Sequence, residues 1–110
     1  MKFEDHCKES IELFGAPFEQ VHLWLDEFAG TPEYGMRHRK VRHHQAGLRQ
    51  LRALIERGKA PFDELKTEFS ADVIVEVARR HMISDFKEEG WSERDPFPED
   101  ERHYVKMGLF

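Results

Sequence analysis

Apolar side chains recur at spacings of three and four residues along most of this chain, and this periodicity constrains its fold more than any other feature. Two such series are Phe18-Val21-Leu25-Phe28 and Ile74-Val77-Ala78. A half-buried strand would instead alternate apolar and polar residues, and no stretch does so convincingly. The periodicity therefore predicts an all-α fold.

Glycine and serine punctuate the helical pattern. Gly15, Gly58 and Gly90 are favourable helix ends, and Ser70 is a favourable N-cap. We predict a compact bundle of four main helices, over residues 4–14, 18–28, 36–57 and 71–89. The tail after residue 90 contains a Trp, two Phe and a Tyr, which predicts that it packs against the bundle. At 110 residues the chain has the size of one domain, residues 1–110.

Composition limits the class of protein. Charged residues make up 35% of the chain, and no apolar run approaches the roughly 18 residues needed to span a bilayer. The first residues lack the basic and then apolar pattern of a signal peptide. The single Cys7 excludes an internal disulfide and a multi-cysteine zinc site. We expect a cytoplasmic protein with no membrane partner, in which any metal ligands are histidines and carboxylates.

Two histidine–aspartate pairs have the spacing of a candidate metal-binding motif. His22-x-x-x-Asp26 and His81-x-x-x-Asp85 each place an imidazole and a carboxylate on one helical face. The carboxylate can bind a metal beside the imidazole, or it can accept the second ring N–H and fix the tautomer. The alternative for each pair is a surface hydrogen bond.

The stretch from Gly35 to His44 holds three of the seven histidines and four arginines or lysines. If residues 36–57 form one helix, a rotation of about 100° per residue places His38 and His44 beside the apolar face marked by Val41. The same rotation places His43 on the opposite side. We therefore expect His38 and His44 to face the interior, and we expect replacement of His43 to leave metal binding intact.

These residues together predict a metal site between the second, third and fourth main helices. A buried polar group without a partner costs about 1–3 kcal/mol, so inward histidines need each other, the aspartates or a metal. Imidazole with carboxylate suits a divalent transition metal: Zn, Mn, Fe or Ni. The predicted ligand set is His22, His38, His44, His81, Asp26 and Asp85, the aspartates being ligands or acceptors for imidazole, with His6 as a further candidate.

Positive charge is concentrated in residues 37–59, which carry a net +7 and leave −12 for the rest of the chain. Arg37 and Arg42 are predicted anion ligands, because guanidinium donates bidentately to phosphoryl oxygens. Arg39 and Lys40 are predicted to face solvent. The alternative is a basic helix packed among acidic helices of the same chain, of a second copy or of an acidic protein partner. Nucleic acid is a weaker candidate, because no exposed aromatic platform is evident.

Four motifs taken together resemble a family of small bacterial and phage proteins that are rich in histidine and form a domain of unknown function. The motifs are His6 with Ser10 and Phe14-Gly15, His22-x-Trp24-x-Asp26, Arg37-His38-Arg39-x-x-Arg42-His43-His44-x-x-Gly47, and His81-x-x-x-Asp85. The match covers residues 6–85 with gaps, and the resemblance implies a set of residues but no reaction. A looser likeness, in architecture and ligand type only, is to metal-dependent phosphohydrolases of the His-Asp type, whose adjacent His-Asp dipeptide is absent here.

Two functions follow as predictions. The first is a small metal-binding helical protein, with metal-assisted hydrolysis of a phosphate-containing substrate as its predicted reaction if it is an enzyme. The second is a non-catalytic interaction protein of the phage or mobile-element accessory type, whose basic helix docks an acidic partner or nucleic acid. The sequence does not decide between an enzyme and a binding protein.

Overall fold

The computed structural model describes all residues, 1–110, and consists of helices without strands. The α-helices are α1 (Phe3–Phe14), α2 (Glu19–Leu25), α3 (Gln45–Glu56), α4 (Phe62–Leu65), α5 (Ala71–Glu88) and α6 (Glu101–Lys106), and a 3-10 helix spans His38–Val41. The prediction of an all-α fold with four main helices is confirmed by α1, α2, α3 and α5. None of the helices combines the length and the apolar character that a membrane span requires.

Local capping determines where α1 ends and where α5 begins. Gly15 adopts a left-handed φ of 84°, and its N–H donates to the carbonyl of Ile11, which closes α1 where predicted. Ser70 accepts a hydrogen bond from the N–H of Val73 and begins α5 where predicted. Both ends depend on residues close in sequence, which explains why the sequence predicted them.

The single helix predicted over residues 36–57 is wrong. After the 3-10 helix, Arg42 has φ −131° and ψ −9°, and His44 is extended, with φ −166° and ψ 176°. Helix α3 begins only at Gln45. The chain folds back so tightly here that a Cβ atom on Gly47 would lie 1.8 Å from the carbonyl oxygen of Arg42. Glycine at position 47 is therefore required for this break.

A cluster of 16 buried apolar side chains forms the core, and α5 lies at its centre, packed against α1, α2 and α3. The C-terminal tail adds the buried Trp91 and Tyr104, which confirms that it packs on the bundle. The tail also caps the N-terminus of α3, because the backbone N–H groups of Gln45 and Ala46 donate to tail carbonyls at 2.9 Å. These hydrogen bonds tie the start of α3, directly after residues 38–44, to the tail.

Candidate metal centre

Two aspartates face each other where the end of α2 meets α5. Asp26 directly follows α2 and its side chain is 29% exposed, whereas Asp85 on α5 is 1% exposed. Burial would raise the pKa of each carboxyl group, but imidazole contacts outweigh it. Contacts led by His38 hold the pKa of Asp26 far below its usual range, and contacts led by His43 and His6 do the same for Asp85. Both carboxylates are therefore ionised at neutral pH.

Four side chains converge here and are called the central cluster: Asp26, His43, His81 and Asp85. His43 Nε2 lies 3.2 Å from Asp85 Oδ2 and 3.6 Å from Asp26 Oδ1. His81 Nε2 lies 3.2 Å from Asp85 Oδ2 and 3.5 Å from Asp26 Oδ2. A tetrahedral ion with bonds of about 2.0–2.2 Å separates its ligand atoms by about 3.3–3.6 Å. The observed separations lie close to this range.

His81 Nε2 is buried between two carboxylates, at distances of 3.2 Å from Asp85 Oδ2 and 3.5 Å from Asp26 Oδ2. Burial lowers the pKa of His81, but the carboxylates of Asp26 and Asp85 outweigh burial and raise it. The position between the carboxylates thus favours positive charge, which a proton or a metal ion can supply.

His43 is suited to bind a metal in its neutral form. It is fully buried, and burial lowers its pKa to about 4 despite the nearby carboxylates. The imidazole is therefore unprotonated on one nitrogen at neutral pH, as metal binding requires. Its Nδ1 has no hydrogen-bond partner, so only Nε2 is oriented by the cluster.

Three side chains that are not in the central cluster, two imidazoles and one guanidinium, also contact the two carboxylates. His6 Nε2 lies 3.1 Å from Asp85 Oδ1, and His38 Nε2 lies 3.2 Å from Asp26 Oδ1. Arg39 was predicted to face solvent, but its Nη2 lies 3.4 Å from Asp85 Oδ1, so that prediction is wrong. These contacts engage one oxygen of each aspartate and orient the carboxylates toward the central cluster.

A stack of three imidazoles adjoins the cluster on α1, α2 and α5. The rings of His6, His22 and His81 are nearly parallel, with interplanar angles of 15° to 22°, and the His6 and His81 centroids are 3.6 Å apart. An imidazole lone pair lies in the plane of its ring, so stacked parallel rings do not point at a common ion. The three ligand atoms lie within 4.8 Å of one another, but ring stacking and the His22–His81 hydrogen bond describe this group better than a second metal site does.

The structure brings three of the six predicted ligands into the central cluster: Asp26, His81 and Asp85. Three other predicted residues lie next to it, each hydrogen-bonded to one of its members: His6, His22 and His38. Both His-x-x-x-Asp motifs therefore contribute to the site. The second supplies His81 and Asp85 to the cluster, whereas the first supplies only Asp26, and its His22 is hydrogen-bonded to His81.

His43 and His44 exchange their predicted roles in the site, although both are buried. His43 is fully buried in the cluster, so the prediction that it faces solvent is wrong. His44 lies outside the cluster, where its Nδ1 accepts the N–H of Gly47 and its Nε2–H donates to the carbonyl of Lys40, each at 3.0 Å. The angular assignment failed because it assumed one continuous helix. Gly47, which weakens a helix interior, is the sequence signal that could have revealed the break.

Neither predicted anion ligand contacts the cluster. Arg42 is 8% exposed, its Nη1–H donates to the Trp24 carbonyl at 2.6 Å, and its guanidinium lies 4.1 Å from the Trp24 ring centroid and 3.5 Å from Glu27. Arg37 is at the surface, 5.2 Å over the ring of Phe110. The donors of Arg42 are engaged by the protein itself, so the geometry gives no support for an anion there.

The central cluster is closed to large ligands. None of the four surface cavities is lined by a cluster residue, and Asp26 alone is partly exposed. A catalytic metal keeps an open position for water or substrate, whereas a structural metal is enclosed by protein ligands. The closed geometry fits the second kind of site.

Comparisons with known proteins give no relative: no protein-family model, no curated protein and no solved structure matches this chain. The resemblance to small histidine-rich bacterial and phage proteins therefore stays a prediction.

Proposed function

We propose that this chain is a metal-binding protein that holds one divalent transition-metal ion between Asp26, His43, His81 and Asp85. The observation that carries the proposal is the convergence of two imidazole nitrogens on the carboxylates of both aspartates, with nitrogen–oxygen distances of 3.2–3.6 Å. Two ionised carboxylates and two neutral imidazoles balance the charge of a divalent ion, which makes burial of the ion affordable.

Zinc is the ion that this ligand set suits best among Zn, Mn, Fe and Ni. Zinc accepts nitrogen and oxygen ligands in a four-coordinate tetrahedral site without penalty from its d electrons. Manganese favours more oxygen ligands and a higher coordination number, and the enclosed cluster offers few further donors. The imidazoles of His6 and His38 are already engaged with Oδ1 of Asp85 and Oδ1 of Asp26.

The role that the closed site supports is structural. Asp26 and His43 lie at the two ends of a segment whose only helix is the short 3-10 helix. An ion bound to both residues and to α5 would fix the ends of this segment on the bundle. Ion binding adds about 4 kcal/mol to the free energy of unfolding when the free ion concentration is a thousand times Kd.

Hydrolysis of a phosphate-containing substrate has less support. The cluster lines no cavity, and Arg39, the arginine beside it, is already within 3.5 Å of Asp85 and Glu89. Docking of an acidic partner or nucleic acid by a basic helix also has less support, because the expected helix is broken and Arg42 is buried.

The experiment is metal analysis of protein purified without a histidine tag, followed by zinc titration of the chelator-treated protein. We expect one zinc per chain in the wild type. Asp26→Asn and His43→Gln should lower the affinity at least tenfold, because each removes a cluster ligand. His103→Gln is the matched control, since His103 lies on α6 outside the cluster. No stoichiometric zinc after titration would refute the proposal.

A further inference from the structure

A chain of two hydrogen bonds leads from the central cluster into the bundle. His81 Nδ1 lies 2.8 Å from His22 Nδ1, and His22 Nε2 lies 2.8 Å from Ser10 Oγ. Exposure of the three residues is 1%, 1% and 4%, so water does not compete for these contacts. Both ring nitrogens of His22 are used within this chain, which leaves no lone pair for a metal.

The positions of the ring protons along the Ser10–His22–His81 hydrogen bonds decide which nitrogen of His81 can bind an ion. If His81 presents the lone pair of Nε2 to an ion, its one ring proton is on Nδ1 and donates to Nδ1 of His22. His22 then carries its own proton on Nε2 and donates it to the hydroxyl oxygen of Ser10. In this arrangement both ring nitrogens of His22 and Nδ1 of His81 have a hydrogen-bond partner, and Nε2 of His81 is bound to the ion.

The reverse direction belongs to the protein without an ion. Ser10 would then donate to His22, and His22 would donate to His81, whose proton would lie on Nε2, 3.2 Å from Asp85 Oδ2 and 3.5 Å from Asp26 Oδ2. A metal ion would replace that proton between the two carboxylates. Binding of an ion to Nε2 therefore requires the first direction, in which His22 accepts the Nδ1 proton of His81.

From these contacts we propose that His22, itself held by Ser10, is the positioning residue that fixes the tautomer and ring orientation of His81 for metal binding. This inference rests on the proposed metal site and assigns to His22 a role different from the ligand role that its motif predicted. A partner on the second nitrogen of a metal-binding histidine raises the basicity of that ligand, and its loss typically lowers metal affinity about 10–100-fold.

The short Ser10–His22 contact has an alternative interpretation as a nucleophile and its base, which also lie within hydrogen-bond reach. Ser10 is 4% exposed and lines none of the four cavities. A substrate therefore has no path to its hydroxyl group, and positioning is the role that the burial supports.

The test compares zinc affinity, measured by competition with a chromophoric chelator, across wild type, His22→Leu, His22→Gln and Ser10→Ala. We expect His22→Leu to weaken binding about 10–100-fold while the stoichiometry stays at one zinc. His22→Gln should recover much of this loss, because its amide oxygen can accept from His81 and its amide nitrogen can donate to Ser10. Ser10→Ala should weaken binding less than His22→Leu does.

Nitrogen-15 NMR of the imidazoles supplies a readout that a general packing defect would not change. In the zinc-loaded wild type, the proton of His81 should be on Nδ1. A proton on Nε2, an affinity unchanged by His22→Leu, or a complete loss of zinc from folded His22→Gln would each overturn the positioning role. Absence of zinc binding in the wild type would overturn the proposed function itself, so the two failures are distinguishable. If His22→Leu does not fold, His22→Gln and Ser10→Ala still decide the question.

Discussion

The two halves of the central cluster are held in different ways. His81 and Asp85 lie one turn apart on α5, an 18-residue helix with a serine cap, and their spacing follows from helix geometry. Asp26 and His43 lie on either side of an irregular segment and are held by side-chain contacts and by the tail that packs on α3. The first half is preorganised by local structure, whereas the second depends on tertiary contacts and on charge.

This difference implies a division of stability within one site. Removal of an ion or of a charge should leave α5 folded and should loosen residues 26–44. Local opening of that kind has a lower free energy than global unfolding. Variants that change one half of the cluster and not the other test this division.

Asp85→Asn should be the most damaging conservative change. Asp85 is 1% exposed and contacts His6, His43, His81 and Arg39. Removing its charge takes one of two carboxylates from Arg39, which stays 3.5 Å from Glu89 Oε2, and leaves three buried imidazoles without an ionised neighbour on this side. Loss of one partner of a buried charged pair costs up to about 3–5 kcal/mol. The change also removes a metal ligand. Chemical denaturation of the apo-protein and zinc titration measure the two effects. Asp72→Asn, at an exposed pair with Arg52, is the control, and an equal effect of both variants would contradict the account.

Withdrawal of zinc should loosen one half of the cluster selectively. With a chelator, the midpoint of thermal unfolding should fall, with a loss of stability of about 4 kcal/mol relative to protein at a free zinc concentration of a thousand times Kd. Hydrogen exchange should show faster exchange in residues 26–44 and little change in α5. Uniform acceleration across both regions would argue that the halves are not held differently.

Gly47→Ala should disrupt the irregular half without touching α5. The added Cβ would meet the carbonyl oxygen of Arg42 at 1.8 Å, so the backbone next to His43 must move, at a cost of about 1–3 kcal/mol or more. Zinc affinity should fall together with stability. Gln50→Ala, on the exposed face of the same helix, provides the control. A variant with native stability and zinc affinity would show that the turn is not needed to place His43.

The half of the cluster on α5 could be predicted from the sequence, whereas the half formed by Asp26 and His43 could be predicted only in part. Gly15, Ser70 and the His81–Asp85 spacing act within a few residues, so helix rules located both helix ends and half of the cluster. The break before α3 has one local signal, Gly47, and otherwise depends on residues distant in sequence, because Gln45 and Ala46 donate to carbonyls of Pro98 and Glu99. The direction of His43 was predicted wrongly because a glycine marks a weak point in a helix but does not specify the turn that forms there.

Acidification should destabilise the apo-protein over a defined pH window. The pKa of His43 is lowered to about 4 and that of His22 to about 3, in each case chiefly by burial, from 6.5. Below about pH 6.5 the unfolded chain binds protons that these folded histidines do not. Stability is therefore retained above pH 6.5 and falls toward pH 4, by up to about 1.4 kcal/mol per pH unit for each histidine.

Denaturation at a series of pH values checks this slope. His22→Gln removes one titrating group and should make the slope shallower by the contribution of one histidine. His81 does not oppose the trend in this window, because its raised pKa stabilises the fold below pH 6.5 and withdraws that stability only as pH rises through the raised value. Stability that is constant from pH 6.5 to pH 4 would contradict the buried, neutral state of His22 and His43.

The most direct test of the metal centre is a crystal structure of the zinc-loaded protein with anomalous data collected at the zinc absorption edge. The account predicts one anomalous peak between Asp26, His43, His81 and Asp85, at about 2.0–2.2 Å from one atom of each side chain. It also predicts His22 behind His81, hydrogen-bonded to it and not to the ion. A peak bound by His22 or by surface histidines in place of these four residues, or no peak at the cluster, would contradict the account.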